Sequence, residues 1–145
     1  MKPDHPDSAD QRRHYAELES RPVRPRRSPV VMAAAVWTWL AIAITRRRLR
    51  RVGFAAAVPA PPALLPWSSR RGVYGVLSRL SPTCLERSYV LQRWLSAHGV
   101  DFEVVVGVRR DEAGAIAAHA WIEELTTARE RGRYTEIHRV PAPAA

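Results

Sequence analysis

The sequence predicts an α+β fold in which helices come first and a small antiparallel sheet follows. Three observations carry this. Apolar residues recur at helical spacing as far as Leu95, and strict alternation replaces that spacing from Phe102 onward. Proline- and glycine-bearing segments separate the periodic stretches. A run of helices followed by a run of strands belongs to the α+β class.

Residues 1–29 alternate acids, arginines and prolines with few apolar anchors, and are expected to be a disordered tail with at most a short helical stretch around His14 to Leu18. Residues 30–51 read as one helix, apolar first and strongly basic at its end, where cations suit the helix dipole. Its apolar run, Val30 to Ile44, has 15 residues, short of the roughly 20 that a spanning helix needs. The cluster Arg46, Arg47, Arg48, Arg50 and Arg51 beside it allows a monotopic contact with anionic headgroups, an expectation ranked behind packing on the protein's own core. A solvated helix end is the plainer reading of that cluster. Residues 58–66, VPAPPALLP, form an extended connector because four prolines exclude regular helix. A second helix is expected over about Arg70 to Leu80. The chain thus divides into 1–29, a tail; 30–66, helix and connector; and 67–145, the core.

The next helix is the best specified. Thr83-Cys84-Leu85-Glu86 matches a capping box, and Ser81 with Pro82 at the first helical position is an equally good start. Either choice sets Cys84 in the first turn. Gly99 suits a left-handed cap, with Val100 packing back on Leu95. Phe102, Val104, Val106 and Val108 then alternate as one face of a strand, and Arg110 to Gly114 has turn chemistry. Ile116 to Glu123 is a second strand, with His119 beside Trp121 on one face. Arg133 to Val140 is a third, completing an antiparallel meander.

Composition bounds the function. The 145 residues allow one domain, and 46% apolar content supports a modest core. Residues 1–72 carry 14 basic and 5 acidic side chains, whereas residues 73–145 carry 9 of each, so the basic character is N-terminal. Lys2 is the only lysine, and the abundance of Arg, Ala and Pro points to a high-GC bacterial genome. Guanidinium groups there favour anionic partners. The neutral second half, without a nucleic-acid motif, argues against a basic nucleic-acid or membrane adaptor. One cysteine excludes an intramolecular disulfide and a thiolate metal cluster, so neither metal nor cofactor is expected. The first 29 residues have no signal-peptide pattern, and a cytoplasmic location follows as an expectation.

The chemistry centres on Cys84. A cysteine in a helix's first turn sits among unpaired N–H groups and the positive end of the dipole, both of which favour the thiolate. The same N–H groups can cradle an oxyanion. His119 follows 35 positions later on a strand, the order in which papain-like and transglutaminase-like cores assemble a Cys–His dyad. The bland alternatives are a small buried thiol and a satisfied core imidazole, and position alone leaves them standing.

The stretch from Cys84-Leu85 through Gly99, Val105-Val106-Gly107-Val108-Arg109-Arg110 and His119-Ala120-Trp121-Ile122-Glu123 closely resembles the leader peptidase of lasso-peptide biosynthesis, a branch of the transglutaminase-like superfamily. The close match covers roughly residues 70–125. The resemblance implies a transglutaminase- or papain-like core and a cysteine endopeptidase that acts through a Cys84 thioester with His119 as base. The implied partners are a ribosomally made precursor peptide, a separate leader-binding (recognition element) protein and a lasso cyclase. Residues 1–29 are too short and polar to be the recognition domain, so the stand-alone protease form is expected. The family closes its triad with an acid about a dozen positions after the histidine, and here the sequence departs from the pattern. Residues 125–133, LTTARERGR, hold no aspartate; Glu130 is nearest in spacing and Glu136 is the other candidate, while Glu123 reads as a strand-end charge. Acyl transfer to an amine is the alternative activity, since it shares the thioester.

Overall fold

The computed structural model describes residues 6–144. Helices α1 (Pro6–Glu19), α2 (Pro29–Val52), α3 (Arg70–Leu80) and α4 (Cys84–Ala97) precede strands β1 (Val104–Arg110) and β2 (Ile116–Ile122). A four-residue helix, α5 (Ala128–Arg131), then leads to β3 (Thr135–Val140). The fold is the α+β arrangement that the sequence predicts.

One core joins all the layers. Ala34, Trp37, Ala41 and Ile42 of α2 pack with Val73 and Leu77 of α3, with Val90, Trp94 and Leu95 of α4, and with Phe102, Val104 and Ile122 beneath them. Trp94 lies at its centre, its ring 5.7 Å from that of Trp37 and 6.1 Å from that of Trp67. The α2–α3 crossing is close because Gly72 has no side chain: a Cβ there would lie 2.1 Å from the Val31 carbonyl oxygen. By length and composition the segment Pro29–Ala55 could cross a membrane. Its inner stripe, Ala34, Trp37, Ala41 and Ile42, instead forms one wall of this core.

The N-terminal segment is part of that core, contrary to the disorder expected for residues 1–29, as far as the described residues extend. Leu18 is buried, and the Tyr15 ring packs against Phe102 at 5.6 Å and Trp67 at 6.3 Å. The buried Arg70 donates to the carbonyls of Glu19 and Arg21 at 3.1 and 2.7 Å. Tyr15 and Leu18, three apart, are the whole apolar face of α1, which is too sparse to stand out as a periodic pattern.

The strands run antiparallel in the order β2-β1-β3, which corrects the expected meander. β3 pairs with β1 because the segment after β2, through α5, carries the chain across to the far edge. A bulge interrupts the β1–β3 ladder: Val106 faces His138 while Gly107 faces Glu136, leaving Ile137 as the extra residue. The α4 C-terminus closes as expected, with Gly99 at φ 81° and the Val100 N–H bonded to the Leu95 carbonyl at 3.0 Å.

Candidate active site

Cys84 is the first residue of α4. Thr83 caps the helix: its hydroxyl accepts the Glu86 N–H at 3.2 Å, and the Glu86 carboxylate accepts the Thr83 N–H at 3.1 Å. The Thr83 carbonyl accepts the Arg87 N–H at 2.9 Å. The N–H groups of Cys84 and Leu85 are left without a partner among the described residues. They are two donors beside a partly buried thiol, the raw material of an oxyanion hole. Just upstream, Ser81 ends α3 in the left-handed region at φ 43°, the one non-glycine residue with positive φ among those described. That conformation turns the chain sharply enough to start α4 three residues later.

Glu86 also reaches across to α2. Arg46 donates Nε and Nη2 to its two carboxylate oxygens at 2.9 and 3.0 Å, a bidentate pair that locks the first turn of α4 against α2. Hydrogen bonding from Arg46 holds the Glu86 carboxyl below its ordinary range, against the opposing effect of burial. The arginine cluster stays exposed, as expected of a solvated helix end, but Arg46 is paired with Glu86 and Arg48 donates to the Ala57 carbonyl. A capping box predicts the local role of Glu86 but not its partner 40 residues away.

α4 covers one face of the sheet. Val104, Ile122 and Val140 form one rung and pack with Val90, Trp94 and Leu95, and Gln92 donates to the Phe102 and Val140 carbonyls at 2.9 and 3.1 Å. Strand side chains alternate, so Val106, Ala120 and His138, two positions along, also face α4. His119, Trp121, Gly107 and Glu136 project from the opposite face.

His119 accordingly projects from the sheet face opposite to that of Ile122 and Ala120, and no hydrogen bond joins it to Cys84 among the described residues. Its ring packs 6.0 Å from that of Trp121 and 5.2 Å from that of Tyr134. Together with Arg109, Thr126, Glu130 and Arg133 these residues line a cavity of 270 Å³. Gly107 makes room for the cluster, since a Cβ there would lie 2.7 Å from the Trp121 ring and 2.8 Å from the Tyr134 Cβ. Glu130 shares the cavity with His119, but its carboxylate accepts the Thr127 N–H and hydroxyl at 3.3 and 3.0 Å, capping α5. Glu136 faces His119 across Gly107 in the ladder, with its carboxylate held bidentately by Arg139 at 2.9 and 2.8 Å. Glu123 braces the sheet's end, accepting from Trp121 Nε1 at 3.1 Å and Arg131 at 2.8 Å.

The imidazole on the α4 side is His138, which sequence reasoning did not single out. It stacks on Phe54 with centroids 4.5 Å apart, and the Phe54 carbonyl accepts the Tyr89 hydroxyl of α4 at 2.8 Å. Burial pushes that hydroxyl up to about 12, so it stays a donor. Only the bulge reveals this, because unbroken alternation in β3 would put His138 and Glu136 on one face.

No curated protein and no solved structure matches the chain. A family model described as the transglutaminase-like superfamily matches residues 11–139. The match begins within α1 and runs into the last strand, spanning the same elements that share the single core. The cysteine-headed helix on an antiparallel sheet is the arrangement expected of that family, and the chain belongs to the transglutaminase-like superfamily, which includes cysteine peptidases and acyltransferases.

Proposed function

We propose that this protein is a cysteine endopeptidase that removes the leader from a ribosomally made lasso-peptide precursor in the cytoplasm. The observation that carries the chemistry is Cys84 at the braced start of α4, with two unclaimed N–H donors beside its thiol. The lasso assignment rests on the resemblance of the Cys84-Leu85, Val105–Arg110 and His119-Ala120-Trp121 motifs. In the reaction the Cys84 thiolate adds to the scissile carbonyl carbon, and the Cys84 and Leu85 N–H groups receive the resulting oxyanion. Collapse expels the amine, protonated by an imidazolium, and leaves a thioester. Water, deprotonated by the same imidazole, then releases the carboxylate and regenerates the thiol.

The motif assigns the imidazole to His119. For His119 to serve, the edge strand β2 must present its other face to the thiol in the reactive complex. A second reading is favoured by one observation, that His138 already shares the α4 face. Glu130 and Glu136 are the acids that could orient His119. A separate leader-binding protein and a lasso cyclase complete the proposed assembly, consistent with α1 being packed into the protease core and not into a recognition domain.

The test is to incubate the protein with its precursor and the leader-binding partner and to read masses. Leader removal that disappears in Cys84→Ala is the expected result. An intact precursor with wild-type protein and partner would overturn the peptidase reading. Transfer of the acyl group to an added primary amine without hydrolysis would favour the acyltransferase branch.

A further inference from the structure

Away from Cys84 lies a larger concavity, a groove of 690 Å³ between α2 and α3. No residue of α4 lines it. The helices approach closely at Gly72, and Met32 of α2 and Tyr74 and Gly75 of α3 line the groove beside that crossing. Gly75 is the telling residue. A glycine in a helix interior is destabilising, and Gly72 is explained by the close crossing, but a Cβ at Gly75 would meet nothing within 4 Å. The local cost has no packing reason, and its effect is to deepen the groove.

The rim is cationic. Arg26, Arg71 and Arg79 line the groove, are exposed, and have no carboxylate partner among the described residues. The acid at its edge, Glu19, is already engaged by Arg70 at 3.7 Å and the Tyr74 hydroxyl at 3.2 Å. The apolar surface continues along α2 from Met32 through Val36, Trp39 and Leu40, all of them exposed and at helical spacing. A flat lipid surface could meet the α2 stripe but could not fill a groove lined by Gly75. A protruding apolar side chain flanked by carboxylates fits both the cleft and its rim.

We infer that the α2–α3 groove docks an acidic, amphipathic segment of the polypeptide substrate, remote from the bond cleaved at Cys84. The inference rests on the proposed peptide substrate, but its test reads binding and needs no turnover. The probe is a short fluorescein-labelled peptide with glutamates flanking an apolar centre, titrated against the full-length chain by anisotropy. Its counterpart has lysines for glutamates, and phosphatidylglycerol vesicles serve as a third ligand. The acidic peptide should bind about tenfold or more tighter than the basic one, and added salt should weaken it. Gly75→Leu, whose Cβ meets nothing within 4 Å and whose longer side chain occupies the groove, and Arg79→Glu should each cost about tenfold in affinity with helix content unchanged. Cys84→Ala should bind as wild type, so loss of cleavage and loss of docking are separate results. Equal affinity for the two peptides, or unchanged binding in Gly75→Leu, overturns the inference. So does vesicle binding that survives Gly75→Leu while the acidic peptide fails to bind, which would make the surface a lipid-facing one.

Discussion

Cys84 can be tested by removal because its surroundings tolerate a small apolar side chain. The thiol is partly buried and makes no hydrogen bond among the described residues, so Cys84→Ala should keep the unfolding midpoint of wild type while losing turnover. A comparable rate in that variant, read by mass spectrometry, removes the thiol from the mechanism. The base is decided by a pair of variants. His119→Ala should abolish leader removal as completely as Cys84→Ala if β2 re-presents His119, since nucleophile and base act as one unit. His138→Ala should do so instead if the imidazole already on the α4 face is the base. Glu130→Ala and Glu136→Ala discriminate the acids: Glu130 is occupied in capping α5 and Glu136 in its pair with Arg139, so whichever variant loses more turnover identifies the orienting acid. The position of Cys84 was legible in the sequence because a capping box is a local pattern. The face of His119 was legible too, from the alternation of β2, whereas that of His138 was not, because it depends on a register that a bulge at Ile137 changes.

At the scale of elements, what sequence reasoning captured and what it missed divide along the same line. The helices over 70–80 and 84–97 and the glycine cap at Gly99 follow from periodicity and capping chemistry within a few residues. The order β2-β1-β3 and the packing of α1 depend on contacts far apart in the chain, and nothing in the local pattern announces them. Two substitutions probe the elements that hold the site. Thr83→Ala removes the N-cap hydroxyl of α4 and should cost about 1 kcal/mol in chemical denaturation. A loss of that size with slowed turnover would tie the cap to the geometry of Cys84, whereas unchanged stability would mean that Glu86 and Arg46 hold the turn without it. Gly107→Ala should cost roughly 1–3 kcal/mol, because its Cβ must displace the Trp121 ring or Tyr134 from the sheet face. The near-ultraviolet circular dichroism of those aromatics should change with it, and a neutral result would contradict the close packing over β1.

For the whole molecule, one aromatic cluster ties the N-terminal segment to the transglutaminase-like core, and a titratable group lies inside it. The His98 ring packs 4.4 Å from that of Trp94 and 5.3 Å from that of Trp67, and its own backbone carbonyl meets His14 Nε2 of α1 at 3.1 Å. Burial lowers the His98 pKa below the ordinary 6.5. The folded state thus resists a proton that the unfolded chain accepts once the pH drops below 6.5. Stability from this site is fully present above that value and is lost as the pH falls towards the folded pKa. Glu86, whose carboxyl is held low by Arg46, gives a second and separate loss below its ordinary 4.5. Denaturant melts across this range should therefore show an upper step that begins below pH 6.5 and a lower one that begins below 4.5. His98→Phe keeps an aromatic ring in the cluster and should flatten the upper step alone, while Glu86→Gln should flatten the lower one alone. Because His14 touches the same residue, the upper step should coincide with easier release of α1, read as faster amide exchange along residues 11–18 at pH 5.5 than at pH 7.5 after correction for the intrinsic rate, to within about half a pH unit. If exchange in α1 stays unchanged while the melts still show the upper step, the proton acts on the Trp67–Trp94 cluster without loosening the N-terminal helix.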